Sequence, residues 1–228
     1  MSLRRVLAVS LAVVGVAGAG ACNPFVNHYA DDDATVTQPV RAVDLRNAAG
    51  SVTVHAGGPG TAISIHRRVE YHSDQKPALS QDVRDGTLTL DGCGDCGIEY
   101  VLTVPASVSL TIANKAGSVS LDGMSGPLDV TAGAGEVNGT GLGSPSVKVR
   151  DSAGAVDLTF SAAPTSVDVH DKAGSVHVAV PAGRYHVITK TDSSEPHVSV
   201  PDDPSAAATL TLTADAGGLT VSPTGSVS

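Results

Sequence analysis

Three observations predict an all-β fold, specifically a β-solenoid of stacked coils of about 20 residues with two short strands per coil. An Asx-x-Ala-Gly turn motif returns along the chain at nearly constant spacing. Each copy is followed by a strand of alternating apolar residues, and no segment carries a sustained 3.6-residue apolar period. The composition agrees with this reading. Hydrophobic residues make up 41% of the 228 positions, but aromatics only 3%, with no Trp, so the apolar content is mainly Ala, Val and Leu. Small and β-branched side chains, with 25 glycines, suit a thin core between closely spaced sheets.

Residues 1–21 read as a signal peptide: Arg4 and Arg5 are the positive start, Val6 to Val16 the apolar stretch, and Ala19-Gly20-Ala21 a small-residue cleavage site. Cys22 follows at once, and Ala19-Gly20-Ala21-Cys22 resembles a bacterial lipobox, which implies that Cys22 is lipidated. Ala19 stands where that pattern prefers Leu, so ordinary secretory cleavage at the same bond stays open. The region 22–39, with Asp31-Asp32-Asp33, is polar and unpatterned and is expected to be a flexible tether.

Removing residues 1–21 leaves 12 basic and 23 acidic side chains, a formal charge of −11. An acidic chain with no basic stripe argues against nucleic acid and against electrostatic docking on anionic lipid.

Residues 40–105 fit the repeat grammar once, at Asn47-Ala48-Ala49-Gly50-Ser51-Val52-Thr53-Val54, and are expected to form an N-terminal β section or cap. Cys93-Gly94-Asp95-Cys96 lies between the alternating patterns Thr87 to Leu90 and Ile98 to Val104, which predicts a hairpin tip. Its cysteines are candidates for a small stapling disulfide in an oxidising compartment. A redox motif would want a helix start, and a zinc site would need two more ligands.

Residues 106–221 carry the repeats. Asn114-Lys115-Ala116-Gly117-Ser118-Val119-Ser120-Leu121 is followed by Ala132-Gly133-Ala134-Gly135-Glu136-Val137, then by copies at Asp151 to Leu158 and Asp171 to Val178. Weaker copies start at Asp192 and Asp215. From Gly117 the interval is 18 to Gly135, then 19 to Gly154, then 20 to Gly174. Gly50, Gly117, Gly135, Gly154 and Gly174 are therefore candidate turn glycines, and the Asx residue starts each turn by bonding its own backbone. Second strands follow at Leu128 to Val130, Val147 to Val149, Val167 to Val169 and Tyr185 to Val187. Residues 222–228 are expected to be a disordered tail.

This run of Asx-x-Ala-Gly-x-Val-x-Val units behind a lipoprotein-like signal resembles the bacterial adhesin-like β-solenoid family, over roughly residues 40–221. The resemblance implies the stacked architecture and an adhesin-like role, and it brings no catalytic residues.

Two rows invite a binding reading. Stacked Asn47, Asn114, Asp151, Asp171, Asp192 and Asp215 could form an acidic ladder for calcium, or serve only as turn formers. Outward positions Thr53, Ser120, Asn138, Asp157, His177 and Ser199 could recognise a sugar or a partner's backbone, or be a plain solvated face. His170, His177, His186 and His197 show no metal spacing and read as surface residues. No Gly-x-Ser-x-Gly, His-Glu-x-x-His or P-loop pattern occurs.

The expectation is a non-catalytic, lipid-anchored surface protein outside the cytoplasmic membrane, adhesin-like or an envelope scaffold. It would need no cofactor, metal or small-molecule substrate, and would meet cell-wall material or another envelope protein. A polysaccharide-acting β-helix enzyme is the rival, with Arg150 beside Asp151 as its only loose candidate. A subunit of an envelope complex is the third reading.

Overall fold

The computed structural model describes residues 27–60 and 62–225. The signal peptide, Cys22 and tail residues 226–228 lie outside the described residues. The described chain is all β. It opens with β1 (His28–Val36), β2 (Ala42–Asn47), β3 (Val52–Gly57), β4 (Ile63–Tyr71), β5 (Ser80–Arg84), β6 (Thr87–Asp91) and β7 (Cys96–Pro105). Next come β8 (Ser109–Asn114), β9 (Val119–Asp122), β10 (Leu128–Ala132), β11 (Val137–Leu142), β12 (Ser146–Asp151) and β13 (Val156–Phe160). The last are β14 (Ser166–Asp171), β15 (Val176–Val180), β16 (His186–Thr191), β17 (His197–Val198), β18 (Thr209–Ala214) and β19 (Leu219–Pro223).

Two large sheets of mixed pairing result. One has ten strands in the order β1-β4-β7-β3-β9-β11-β13-β15-β19-β17, and the other nine, β16-β18-β14-β12-β10-β8-β2-β6-β5. From β8 to β15 the chain passes alternately between the sheets. Each two-strand layer pairs in parallel with the one before it.

Period-2 alternation sends every second side chain inward. Register then stacks like on like: Leu110, Leu128, Val147, Val167 and Leu210 in one sheet, and Val52, Val119, Val137, Val156, Val176 and Leu219 in the other. All eleven are at most 2% exposed. Burying each side chain of this size stabilises by about 1.5–3 kcal/mol. Rings are few: Tyr100, Phe160 and Tyr185 are the fully buried aromatics among the described residues.

The layers do not follow chain order at either end. The β2/β3 layer lies between β6/β7 and β8/β9, and the β18/β19 layer lies between β14/β15 and β16/β17. Residues 40–105, expected as a cap, therefore supply two layers of the stack, and β7 runs through Pro105 without a break. The inverted order at the C-terminal end has a packing reason. β18 sends Leu210 and Leu212 inward at 0% exposure, whereas β16 offers Val187 and Thr189 at the same register positions and leaves Ile188 44% exposed. The layer with the better apolar pair takes the doubly covered slot.

At the other end the parallel stack is closed by antiparallel strands: β4 on β7, β1 on β4, and β5 on β6. The expected flexible tether is thus corrected, because His28–Val36 is an edge strand in register with β4 from His28↔Tyr71 to Val36↔Ile63. Its acids hid the strand. Asp32 pairs with Arg67, and Arg68 lies 5.3 Å from the Tyr29 ring centroid, so charge that reads as solvation serves as cross-strand pairing. The expected tail is also shorter, since Ser222 and Pro223 belong to β19 and the Thr224 N–H donates to Val180 O at 2.7 Å.

Cys93 and Cys96 are at disulfide distance, with Cα atoms 5.6 Å apart. They do not sit at a hairpin tip. β6 and β7 belong to different sheets, so the C-x-x-C turns the corner of its layer, in the place where other layers use the Asx-x-Ala-Gly turn. Gly92 N–H donates to Arg46 O at 2.7 Å, and Ile98 N–H to Ala49 O at 2.8 Å, which locks this corner onto the next. Replacing both cysteines by Ser is expected to cost about 2 kcal/mol or less, since so short a loop restricts the unfolded chain little. Urea unfolding of the Cys93→Ser, Cys96→Ser protein checks this.

Candidate functional site

The outward row of the ten-stranded sheet is a true column. Thr53 pairs with Ser120, Ser120 with Asn138, Asn138 with Asp157, and Asp157 with His177. Beyond His177 the structure places Thr220 and then His197 in the column. Ser199 is therefore not a column member: it lies two residues further along the chain, just past β17, where its hydroxyl meets His197 Nε2 at 3.0 Å. The register explains Ser199: Thr191 and Ala214, each one residue before the Asp of its copy, align with Asp171, so the column positions of these copies fall on His197 and Thr220.

Two residues further along the strands runs a second row, His55, Asp122 and Thr140. Thr140 Oγ1 donates to Asp122 Oδ1 at 3.2 Å, and His55 Nδ1 lies 3.6 Å from Asp122 Oδ2. Together with Thr53, Ser120, Leu121 and Asn138, these residues line a shallow depression of about 360 Å³. Sequence reading missed the second row, although the i+2 position after each of Thr53, Ser120 and Asn138 is the signal for it. Gly139 shapes the floor between the rows: a Cβ there would press on Leu142 and Leu158, and the pairing with β13 shifts register just after it.

Within the depression, the side chains of Thr53, Ser120 and Asn138 make no hydrogen bond to another described residue. Further along the column, His177 lies 3.2 Å from both Asp157 Oδ2 and Ser222 Oγ.

The outer face of the nine-stranded sheet also pairs its charges, as His55 with Asp122 and His177 with Asp157 do on the other face. Its charges pair with one another, within and across layers: Arg46 with Asp44 at 2.6 Å, Lys148 with Asp129 at 3.6 Å, Arg150 with Asp168 at 2.5 Å, and His170 with Asp215 at 3.4 Å. Arg150 thus already has a carboxylate partner. Asp151 points the other way, into the stack, at 2% exposure.

The five candidate turn glycines form one column at a corner, which Gly217 extends. A Cβ built on Gly117 runs into the Gly50 carbonyl, and the same holds for Gly135 on Gly117, Gly154 on Gly135, Gly174 on Gly154 and Gly217 on Gly174. Close approach between layers is the common requirement. Gly117 adds a φ of 112°, which side chains disfavour.

The Asx column also differs from expectation. Its register is Asn47, Asn114, Ala132, Asp151, Asp171, Ala214 and Thr191. Asp192 and Asp215 fall one residue outside it. Among the described residues no group of three or more His, Cys, Asp or Glu is placed to hold a metal ion.

The architecture is similar to solved structures. A candidate cell adhesion protein from Clostridium sporogenes aligns with a TM-score of 0.51 at 9% identity, covering 86% of this chain and 100% of that one. Candidate adhesins from Bacteroides fragilis (TM-score 0.34, 12% identity, 86% of this chain and 97% of that one) and Parabacteroides merdae (0.35, 11%, 86% and 95%) also align. At 9% identity the likeness to the Clostridium protein is one of fold. No family model and no curated protein matches the chain.

Proposed function

We propose that the chain is an exported, non-catalytic, adhesin-like protein, anchored by lipid at Cys22. Its body is a β-solenoid of two-strand coils that displays one face of the ten-stranded sheet to cell-wall material. The depression carries this reading. Ion pairs occupy charges on both faces, but Thr53, Ser120 and Asn138 stand together around the depression with their side-chain donors and acceptors free for a polar ligand. The fold shared with a candidate cell adhesion protein supports the same reading. The pairing of Arg150 with Asp168 supports a non-catalytic role, because it occupies the one basic side chain suggested for polymer cleavage.

Co-sedimentation of the purified protein with cell-wall material tests the proposal, with cross-linking on intact cells alongside. Saturable sedimentation is the expected result. Recovery of one stoichiometric envelope protein without wall binding would overturn wall recognition in favour of a complex, and release of sugar fragments would overturn the non-catalytic reading. Mass analysis of the N-terminal peptide tests the anchor: an unmodified Cys22 would defeat it.

A further inference from the structure

Four members of the Asx column stand in equivalent places and are all buried: Asn47 at 3% exposure, Asn114 at 1%, Asp151 at 2% and Asp171 at 0%. The two asparagines show what the corner asks of them. Asn114 Nδ2 donates to the Gly117 carbonyl at 2.7 Å and to the Gly50 carbonyl of the neighbouring layer at 3.1 Å. Asn47 Nδ2 does the same with Gly50 O at 3.2 Å and Ile98 O at 2.9 Å. The corner is thus a stack of inward-facing glycine carbonyls that calls for a donor.

Aspartate brings no donor when ionised. Asp151 Oδ1 accepts the Ser152 N–H at 2.8 Å, and Asp171 Oδ1 accepts the Ala173 N–H at 3.1 Å. The Oδ2 of each is buried with no partner. Asp151 Oδ2 lies 3.0 Å from the point where a Cβ on Gly154 would sit, and the Gly135 carbonyl crowds that same point. Asp171 Oδ2 lies 2.7 Å from the corresponding point on Gly174, which the Gly154 carbonyl crowds. At each position a carboxylate oxygen and a glycine carbonyl, both acceptors, crowd the same point beside glycine backbone, and the carboxylate oxygen is closed to solvent. Each Oδ2 lacks a donor there, and a proton on it would supply one.

We infer that Asp151 and Asp171 hold a proton on Oδ2 in the folded protein and donate it to the glycine carbonyls, as Asn47 and Asn114 donate their amide hydrogens, which makes the corner a pH-sensitive clasp. Burial, the largest effect, pushes both carboxyls above the ordinary range; the backbone N–H groups oppose it. Asp171 is raised further by Asp151 on β12 and by Asp215 after β18, against His170 on its own strand. From β10 the register neighbour of Asp151 is the uncharged Ala132. Lys172, exposed, follows Asp171 in the turn.

The sign follows from linkage. A carboxyl whose folded pKa is raised contributes stability that is complete below its unfolded pKa and is lost as pH rises through the folded value. The stack is therefore tightest in mild acid and loosens toward alkaline pH.

Asp151→Asn and Asp171→Asn are isosteric and supply a permanent donor. At pH 8 each is expected to raise Tm by about 2–4 °C, and the two together flatten the decline of Tm between pH 5 and pH 8. In the wild type, carbon-13 NMR of labelled Asp should show two carboxyls titrating well above the others. Asn variants no more stable than wild type at pH 8, or no Asp titrating above the ordinary range, would overturn the clasp. A Tm raised by calcium and lowered by chelator in wild type but not in the variants would overturn it in favour of a metal.

Discussion

Gly117→Ala is expected to destabilise the protein by about 3 kcal/mol or more, although it adds only one methyl group. The new Cβ would overlap the Gly50 carbonyl and crowd the Ser51 nitrogen, which are backbone atoms fixed by the pairing of β3 with β9. No rotamer change relieves such a clash, so the corner must open or the layers must part. The left-handed φ of 112° adds strain that only glycine escapes. Gly218→Ala is the matched control from the same column's last turn. Nothing lies within 4 Å of its Cβ position, so its effect should stay within about 0.5 kcal/mol. Urea unfolding compares the two. Equal stabilities would mean that the layers are not held at the spacing described.

Arg67→Ala is the second large effect, about 3 kcal/mol, and it acts at the opposite device, the antiparallel closure of the stack. Arg67 is 3% exposed on the inward side of β4, between Asp32 of β1 and Tyr100 of β7 in register. Its Nη2 donates to Gln81 Oε1 at 2.6 Å, and its Nε lies 3.3 Å from Asp32 Oδ2 as an ion pair without hydrogen-bond alignment. Truncation leaves a void and strands Asp32 and Gln81. Asp32 keeps a third of its side-chain surface in water and Lys76 at 3.4 Å, which holds the loss to the lower end of the range for a broken buried pair. Arg67→Met keeps the volume, and its cost should be about 1 kcal/mol. Chemical denaturation measures both, and proteolysis between β1 and β2 should rise only for the Ala variant.

What could be read from the sequence was whatever repeats locally. Val119, Val137, Val156 and Val176 alternate with polar residues, so strand and inward face were legible; so was most of the outward column, from Thr53 to His177. Layer order was not, because it is decided by competition between layers. Leu210 and Leu212 take the covered slot from Val187 and Thr189, and no window of the chain compares those pairs. The end of the column was hidden by register: in the two weak last copies Thr191 and Ala214, not Asp192 and Asp215, align with Asp171, which puts His197 and Thr220 in the column and leaves Ser199 outside it. β1 was hidden for a different reason: Asp31, Asp32 and Asp33 read as solvated charge until Arg67, His66 and Arg68 stand opposite. The C-x-x-C lay between two strand patterns that pair with different sheets, so it turned a corner where a hairpin was expected.

The most direct test of the surface-display account sets the two faces against each other in one assay. Ser120→Ala with Asn138→Ala removes free polar groups from the depression, and Lys148→Ala with Asp129→Ala removes an ion pair from the opposite face. Each pair should leave stability within about 0.5 kcal/mol per site, because surface changes away from special contacts are small. Sedimentation with cell-wall material should fall by roughly tenfold in affinity for the first protein, about 1.4 kcal/mol, and stay unchanged for the second. Equal binding by both variants and the wild type would contradict the assignment of the binding face.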